Sequence, residues 1–323
     1  MMVFAAISSM LITLVLLISF YTYRTCFYSP RGKHNGPYEP MEGEQYDAVS
    51  ENIFRVAHIM EQYPYESVLI HSYDNTVLHG RYYHLKDGAP LQILFHGYRS
   101  SALRDCSGGH ALSRKMGFNA LVIDQRAHGE SDGVTITFGI RERRDCEVWV
   151  KYAAERFGPQ TPIILSGLSM GAATVLMASD LELPNVVAIM ADSPYSAPIA
   201  IIMKVCQDLH YPTAICKPFI YLGAWLYGHF HLGSCCAKDA VCNTKIPILL
   251  IHGEDDRLVP CDMSSEIKAS CASRAEVHTF PGAGHGLCYI TDPVRYERVI
   301  FDFLRSIPQI ADTIDENYIQ IMS

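Results

Sequence analysis

The chain has 323 residues, 49% of them apolar and 19% charged, with a formal net charge of −8. That is apolar sequence enough for one α/β core plus an appendage, and the acidic balance without a basic run argues against a nucleic-acid partner. The 11 cysteines are odd in number and scattered, a pattern of buried or free thiols and not of a disulfide framework. Cys235, Cys236 and Cys242 lack the spacing to histidine that a zinc site needs, so no metal is assigned.

Residues 1–23 carry no charged side chain and include the apolar run Met10–Phe20, just long enough to cross a hydrocarbon core of about 20 residues. A cleaved signal peptide would want a basic leader and a small-residue cleavage site. The bulky Phe20-Tyr-Thr-Tyr-Arg24 offers neither, so the segment reads as an uncleaved single-pass anchor. Arg24, Arg31 and Lys33 follow it, and the positive-inside bias then sets the rest of the chain on the cytoplasmic side of the cell membrane. Residues 24–50 read as a linker, with three prolines and three glycines between Ser29 and Gly43.

The main domain is expected over 51–307. Ile53, Val56, Ala57 and Met60 recur at helical spacing until Pro64, and Val68–Ile70 and Thr76–Leu78 flank Asp74-Asn75 as a β-hairpin. Short apolar runs then alternate with helical patterns such as Arg141–Phe157: Leu91–Phe95, Ala120–Ile123, Thr161–Ser166, Val186–Met190, Ile246–Ile251 and Ala275–Phe280. That alternation implies a mostly parallel sheet flanked by helices, with chemistry at the carboxyl ends of its strands. An insertion at about 195–243 breaks the rhythm. Its Tyr221, Trp225, Tyr227 and Phe230 exceed what a bare connection needs and suggest a small helical cap over a site. The acidic stretch 308–323 reads as a frayed tail.

Gly167-Leu168-Ser169-Met170-Gly171 stands between an apolar strand and a helical run. A strand turning that tightly into a helix lifts the central hydroxyl above the sheet edge and forces small neighbours on it. A serine hydroxyl is a poor nucleophile at neutral pH, so it needs a base and an acid to orient that base, in the chain order Ser, Asp or Glu, His. His285, in the glycine-dense loop Pro281–Gly286, is the candidate base, whereas His278 lies within a strand pattern. The acid is one of three consecutive carboxylates, Glu254, Asp255 and Asp256.

From about Tyr65 to Ser306 these motifs resemble the α/β-hydrolase superfamily, particularly its serine-aminopeptidase-like and lipase-like branches. The acid loop of those branches, H-G-x-x-D-x-x-V-P, aligns with His252–Pro260 and selects Asp256, leaving Asp255 as a solvated neighbour. The resemblance implies an oxyanion hole built from the backbone N–H groups of Tyr98, in His96-Gly97-Tyr98, and Met170. The segment Asp124–Gly133 resembles the family's D-x-R-x-x-G-x-S loop, whose Arg126 and aspartate brace a loop without entering the chemistry.

The expected protein is thus an α/β-hydrolase fold behind one transmembrane helix, a serine hydrolase using Ser169, Asp256 and His285 without cofactor or metal. A carboxylic ester with a small-molecule or lipid-like acyl group is the expected substrate. An amide, as in the aminopeptidase branch, would want acidic cap residues, and only Asp208 and Asp239 are offered. A non-catalytic membrane scaffold is the reading from another class, and a dehalogenase would carry Asp at the nucleophile.

Overall fold

The structure is a computed structural model describing residues 2–30, 38, 43–47, 49–315 and 317–318. Most of the Pro- and Gly-rich stretch expected as a linker lies outside the described residues. Eight strands form one sheet in the order β1-β2-β4-β3-β5-β6-β7-β8. They are β1 (Glu66–His71), β2 (Val77–Tyr83), β3 (Leu91–Phe95), β4 (Asn119–Asp124), β5 (Ile163–Leu168), β6 (Val186–Asp192), β7 (Ile248–Gly253) and β8 (Ala275–Phe280).

β1 and β2 make the antiparallel hairpin foreseen around Asp74-Asn75, and β2 pairs antiparallel with β4. Asn75 takes φ 63°, a left-handed conformation that asparagine tolerates better than most residues. The remaining pairings are parallel, so the carboxyl ends of β3 to β8 share one edge. Every residue of β3, β4 and β7 is buried, which is why these strands read as continuous apolar runs without alternation. The buried amide of Gln92 in β3 is satisfied by donating to Ser166 Oγ (2.6 Å) and accepting from Ser113 Oγ (2.5 Å).

The helices in chain order are α1 (Met2–Cys26), α2 (Glu44–Asp47), α3 (Ser50–Glu61), α4 (Ala102–Asp105), α5 (Ser107–Met116), α6 (Glu142–Phe157) and α7 (Met170–Ala178). There follow α8 (Pro198–Asp208), α9 (Thr213–Leu226), α10 (Ala237–Ala240), α11 (Asp262–Ser270), α12 (Cys288–Thr291), α13 (Pro293–Arg305) and α14 (Pro308–Ala311). One core layer packs Trp149 and Val150 of α6, Val175 of α7 and Ile267 of α11 on the sheet. Leu112 and Met116 of α5 with Ile300, Phe301 and Leu304 of α13 form the layer on the opposite face.

Three expectations of domain organisation need correction. The anchor and linker do not part at residue 23. α1 runs on to Cys26, Phe27 is fully buried between Phe138 and Phe230, and Tyr28 bridges Thr135. Aromatic side chains this apolar are more stable in the core than exposed on a tether. Part of the expected linker is α2, whose Tyr46 is buried. The frayed tail is also not free where it is described: Ile310, Ile314 and Tyr318 are buried, and Asp315 N–H donates to Met116 O at 3.0 Å. Asp312 and Asp315 face out while Ile310, Ile314 and Tyr318 extend the α13 layer.

His110 of α5 is buried between Tyr63 and Tyr83, ring centroids 5.5 and 4.4 Å away, and neither ring nitrogen finds a partner among the described residues. Burial, with a smaller effect of nearby Arg114, pushes its pKa down from 6.5 to about 4. Between those values the unfolded chain binds the proton and the folded chain does not, so stability falls as pH drops through that window. The loss from pH 7 to 4.5 is on the order of 2 kcal/mol. His110→Leu should flatten the fall of Tm over that range, as thermal melts at both pH values will show.

Candidate active site

The turn Gly167–Gly171 has the strain its motif implies. Ser169 sits between β5 and α7 at φ 55°, ψ −113°, a conformation that costs a non-glycine residue about 1–3 kcal/mol. A Cβ on Gly167 would lie 2.3 Å from Gly171 C, and one on Gly171 would lie 2.1 Å from Phe95 O. Both glycines are therefore fixed by close backbone approach. Ser169 N–H donates to Asp192 O at 2.9 Å, tying the elbow to the end of β6. Met170 opens α7, so its N–H is among the helix-start donors that have no partner within the helix.

After β7 the chain turns through Asp256, whose side chain is fully buried. Its Oδ1 accepts from Leu258 N–H (2.9 Å) and Val259 N–H (2.8 Å), and its Oδ2 receives His285 Nδ1 at 2.7 Å. Burial alone would raise this carboxyl's pKa. Hydrogen bonds from His252 and His285 and the backbone donors outweigh it and hold the group well below the usual carboxylate range. An ionised carboxylate only accepts, so the His285 proton sits on Nδ1 and Nε2 is the basic nitrogen. Glu254 and Asp255 are exposed, and His278 pairs with Glu276 at 3.3 Å, away from this cluster.

Several residues around the site received no role from the sequence. His252 is fully buried, with Nε2 on Val259 O (2.9 Å) and Nδ1 on Ser264 Oγ (2.7 Å), and it braces the acid loop. Tyr46 O–H donates to His285 O at 3.1 Å across 239 residues of sequence. The turn after β3 is held from both sides. Gly97 N–H donates to Asp105 Oδ2 (2.8 Å), and Arg99 N–H, at φ 50°, donates to His128 Nε2 (3.0 Å). His96 Nε2 accepts from Gln125 N–H (3.0 Å), so its Nδ1 carries the proton that bonds Gly97 O (2.8 Å), and burial lowers its pKa. Two neutral histidines, rings 4.7 Å apart, thus staple the Tyr98 turn to the loop after β4. In that same loop Arg126 clamps Asp145 (2.5 and 2.6 Å) and Asp74 (2.9 Å), away from the reacting groups and in keeping with a bracing role.

Ser169, His285, Gly97, Tyr98 and Asp192 line one cavity of about 490 Å³. Its apolar wall comes from Ile53 and Val56 of α3, Leu112 of α5, Ile290 of α12, Ile300 of α13 and Met190 of β6. Among the described residues, none between 193 and 250 lines it. The insertion is present as α8, α9 and α10, but its aromatic side chains are used elsewhere: Tyr227 meets Phe20 (5.1 Å) and Phe230 meets Phe27 (5.2 Å). The cap aromatics hold α1, and α3 walls the cavity.

Comparison with known proteins accords with this architecture. The model of the alpha/beta hydrolase family matches residues 92–299, more than half of the chain. The chain belongs to the alpha/beta hydrolase family. The hydrolase is 22% identical over 214 residues to the uncharacterized protein YqkD of Bacillus subtilis, spanning 66% of this chain and 70% of that one. A shorter stretch of 68 residues, 21% of this chain and 24% of the relative, is 29% identical to the bifunctional esterase/perhydrolase DCH of Acinetobacter calcoaceticus. Among solved structures, the esterase Pf2001 of Pyrococcus furiosus superposes with a TM-score of 0.63 at 22% identity over 85% of this chain and 98% of that one. Est1E of Butyrivibrio proteoclasticus gives 0.57 at 18% identity over 76% and 99%. These likenesses establish the fold. Among its described residues the hydrolase also carries one helix, Met2–Cys26, long and apolar enough to cross a membrane by length and composition.

Proposed function

We propose that the hydrolase is a membrane-anchored serine esterase acting on carboxylic esters with a medium or longer acyl chain. The observation that carries the reading is the buried Asp256–His285 pair, 2.7 Å apart, whose His285 lines the same cavity as a serine held at φ 55°. His285 Nε2 takes the Ser169 proton as Oγ attacks the acyl carbonyl, and Asp256 stabilises the imidazolium that forms. The N–H groups of Tyr98 and Met170 receive the developing oxyanion, each such donor being worth on the order of 3 kcal/mol. The imidazolium then protonates the leaving alcohol, and water activated by the same imidazole releases the acid and frees Ser169.

An amidase reading draws less support. Asp208 is half-exposed and paired with Lys204 at 2.5 Å, and neither it nor Asp239 lines the cavity. Anchoring through α1 rather than a cleaved leader is supported by its packing, since Gly223 of α9 leaves room for Ser19 O and Tyr23 is buried. Arg24 and the basic residues after it support a catalytic domain on the cytoplasmic side.

The test is fluorophosphonate labelling of the full-length protein, followed by p-nitrophenyl esters from acetate to octanoate and an aminoacyl-amide control. Labelling with rates rising along the ester series supports the reading. No labelling indicates a scaffold, and faster amide turnover a peptidase. Each buried methylene is worth about 0.8 kcal/mol, so two more methylenes raise kcat/KM about tenfold while the cavity accepts them. Val56→Trp, which fills the α3 wall, should reverse the preference toward acetate and leave acetate turnover within a few-fold.

A further inference from the structure

α1 and α9 lie side by side with antiparallel pairing. Thr22 Oγ1 donates to Phe219 O (3.0 Å), a Cβ on Gly223 would sit 2.5 Å from Ser19 O, and Tyr227 O–H donates to Leu16 O (3.1 Å). The docked part of α1 therefore begins at Leu16. That contact lies eight residues before Arg24. At a rise of 1.5 Å per residue it is about 12 Å along the helix from Arg24, so with Arg24 at the headgroups it falls inside the hydrocarbon core. An α1 that crosses the bilayer in this way takes the carboxyl-terminal half of α9 in with it.

We infer that the carboxyl-terminal half of α9 is immersed in the leaflet next to the catalytic domain, with Trp225 in contact with lipid. The inference rests on α1 crossing the bilayer, as proposed above. Three further observations support it. Trp225 is 53% exposed, although it is the largest apolar side chain of the insertion. From Pro218 to Gly228 the chain carries no charge. Lys217 precedes that stretch, and the Phe219–Thr22 contact sets it at the level of Arg24, so both cations meet the headgroups together. Tyr21, 66% exposed, adds a further aromatic at the same boundary. An immersion on the order of 10 Å matches the depth at which interfacial helices lie. Arg141, a cation near the immersed end, is held there by its hydrogen bond to His229 O.

Immersion also carries the chemistry toward the lipid. Tyr98 O–H donates to Cys26 O (2.8 Å) and Arg99 to Thr25 O (2.9 Å), so the turn lining the cavity hangs directly from the end of α1. The partner of this surface is the bilayer itself.

The chain has two tryptophans, and the other, Trp149, is fully buried in the core and serves as an internal reference. The full-length protein would be reconstituted in phosphatidylcholine vesicles with and without lipid brominated at acyl carbons 6 and 7. Brominated lipid should remove up to about half of the tryptophan emission of the native protein, one of two fluorophores, and almost none from Trp225→Phe. Hydrolysis of p-nitrophenyl acetate by Trp225→Phe should match the native rate, since the side chain does not line the cavity. Equal quenching of both proteins, with the protein retained through an alkaline carbonate wash, would place α9 outside the bilayer and overturn the inference while keeping the anchor. Release by carbonate would instead overturn the anchor, and the immersion with it.

Discussion

Replacing Ser169 by glycine should abolish fluorophosphonate labelling, lower kcat on a short ester by about 10⁵- to 10⁶-fold, and raise Tm. The first two effects follow from removing the nucleophile, and His285→Ala should cost about as much because the two act as one unit. The third follows from the backbone. Ser169 is held at φ 55°, ψ −113°, and glycine adopts such a conformation without the Cβ penalty, relieving about 1 kcal/mol after its larger unfolded-state entropy is counted. Ser169→Ala removes the hydroxyl but keeps the Cβ, so it should lose activity equally without the gain in Tm. Activity assays and calorimetry on the two variants separate chemistry from strain. Residual labelling of Ser169→Gly would put the nucleophile elsewhere.

Asp256→Asn should lower kcat by about 10⁴-fold with little loss of fold. The amide oxygen can still accept from Leu258 and Val259 N–H, so the acid loop stays closed. Its NH₂ then faces His285 where Oδ2 had been, and a donor there favours the tautomer with the proton on Nε2. Such an imidazole cannot take the Ser169 proton, and no carboxylate remains to stabilise an imidazolium. Asp255→Asn, at an exposed position, should change kcat by less than twofold. A pH–rate profile adds a check. The acidic limb of the native enzyme should not report Asp256, whose carboxyl is held well below the usual range, so the Asp256 charge is lost only at a pH below that of ordinary carboxylates.

The candidate residues Ser169, Asp256 and His285 stand out in the sequence because each belongs to a local pattern at the end of its own strand. The elbow needs Gly167 and Gly171 within four residues, and a parallel strand between two helical layers needs an unbroken apolar run. Such features depend on residues a few positions apart, and the sequence by itself determined them, along with the order of the strands along the chain and the apolar helix at its start. The partners of those residues were a different matter. Asp105 on Gly97 and His128 on Arg99 act by pointing at a backbone N–H, which leaves no residue-type signature at the receiving position. Tyr46 reaches His285 from a stretch that composition marks as linker, because one buried tyrosine is outvoted by its prolines and glycines.

The insertion shows the same limit from the other side. Its surplus of Tyr, Phe and Trp suggested a cap over the site, since aromatic area left in water is costly. Composition does not say what that area covers. Only the tertiary structure decided that Tyr227 and Phe230 cover α1 and Phe27, and that Ile53 and Val56 wall the cavity instead. Apolar burial is non-directional and fixes how much surface must be hidden, while the choice of neighbour depends on shape and on contacts between residues some two hundred positions apart.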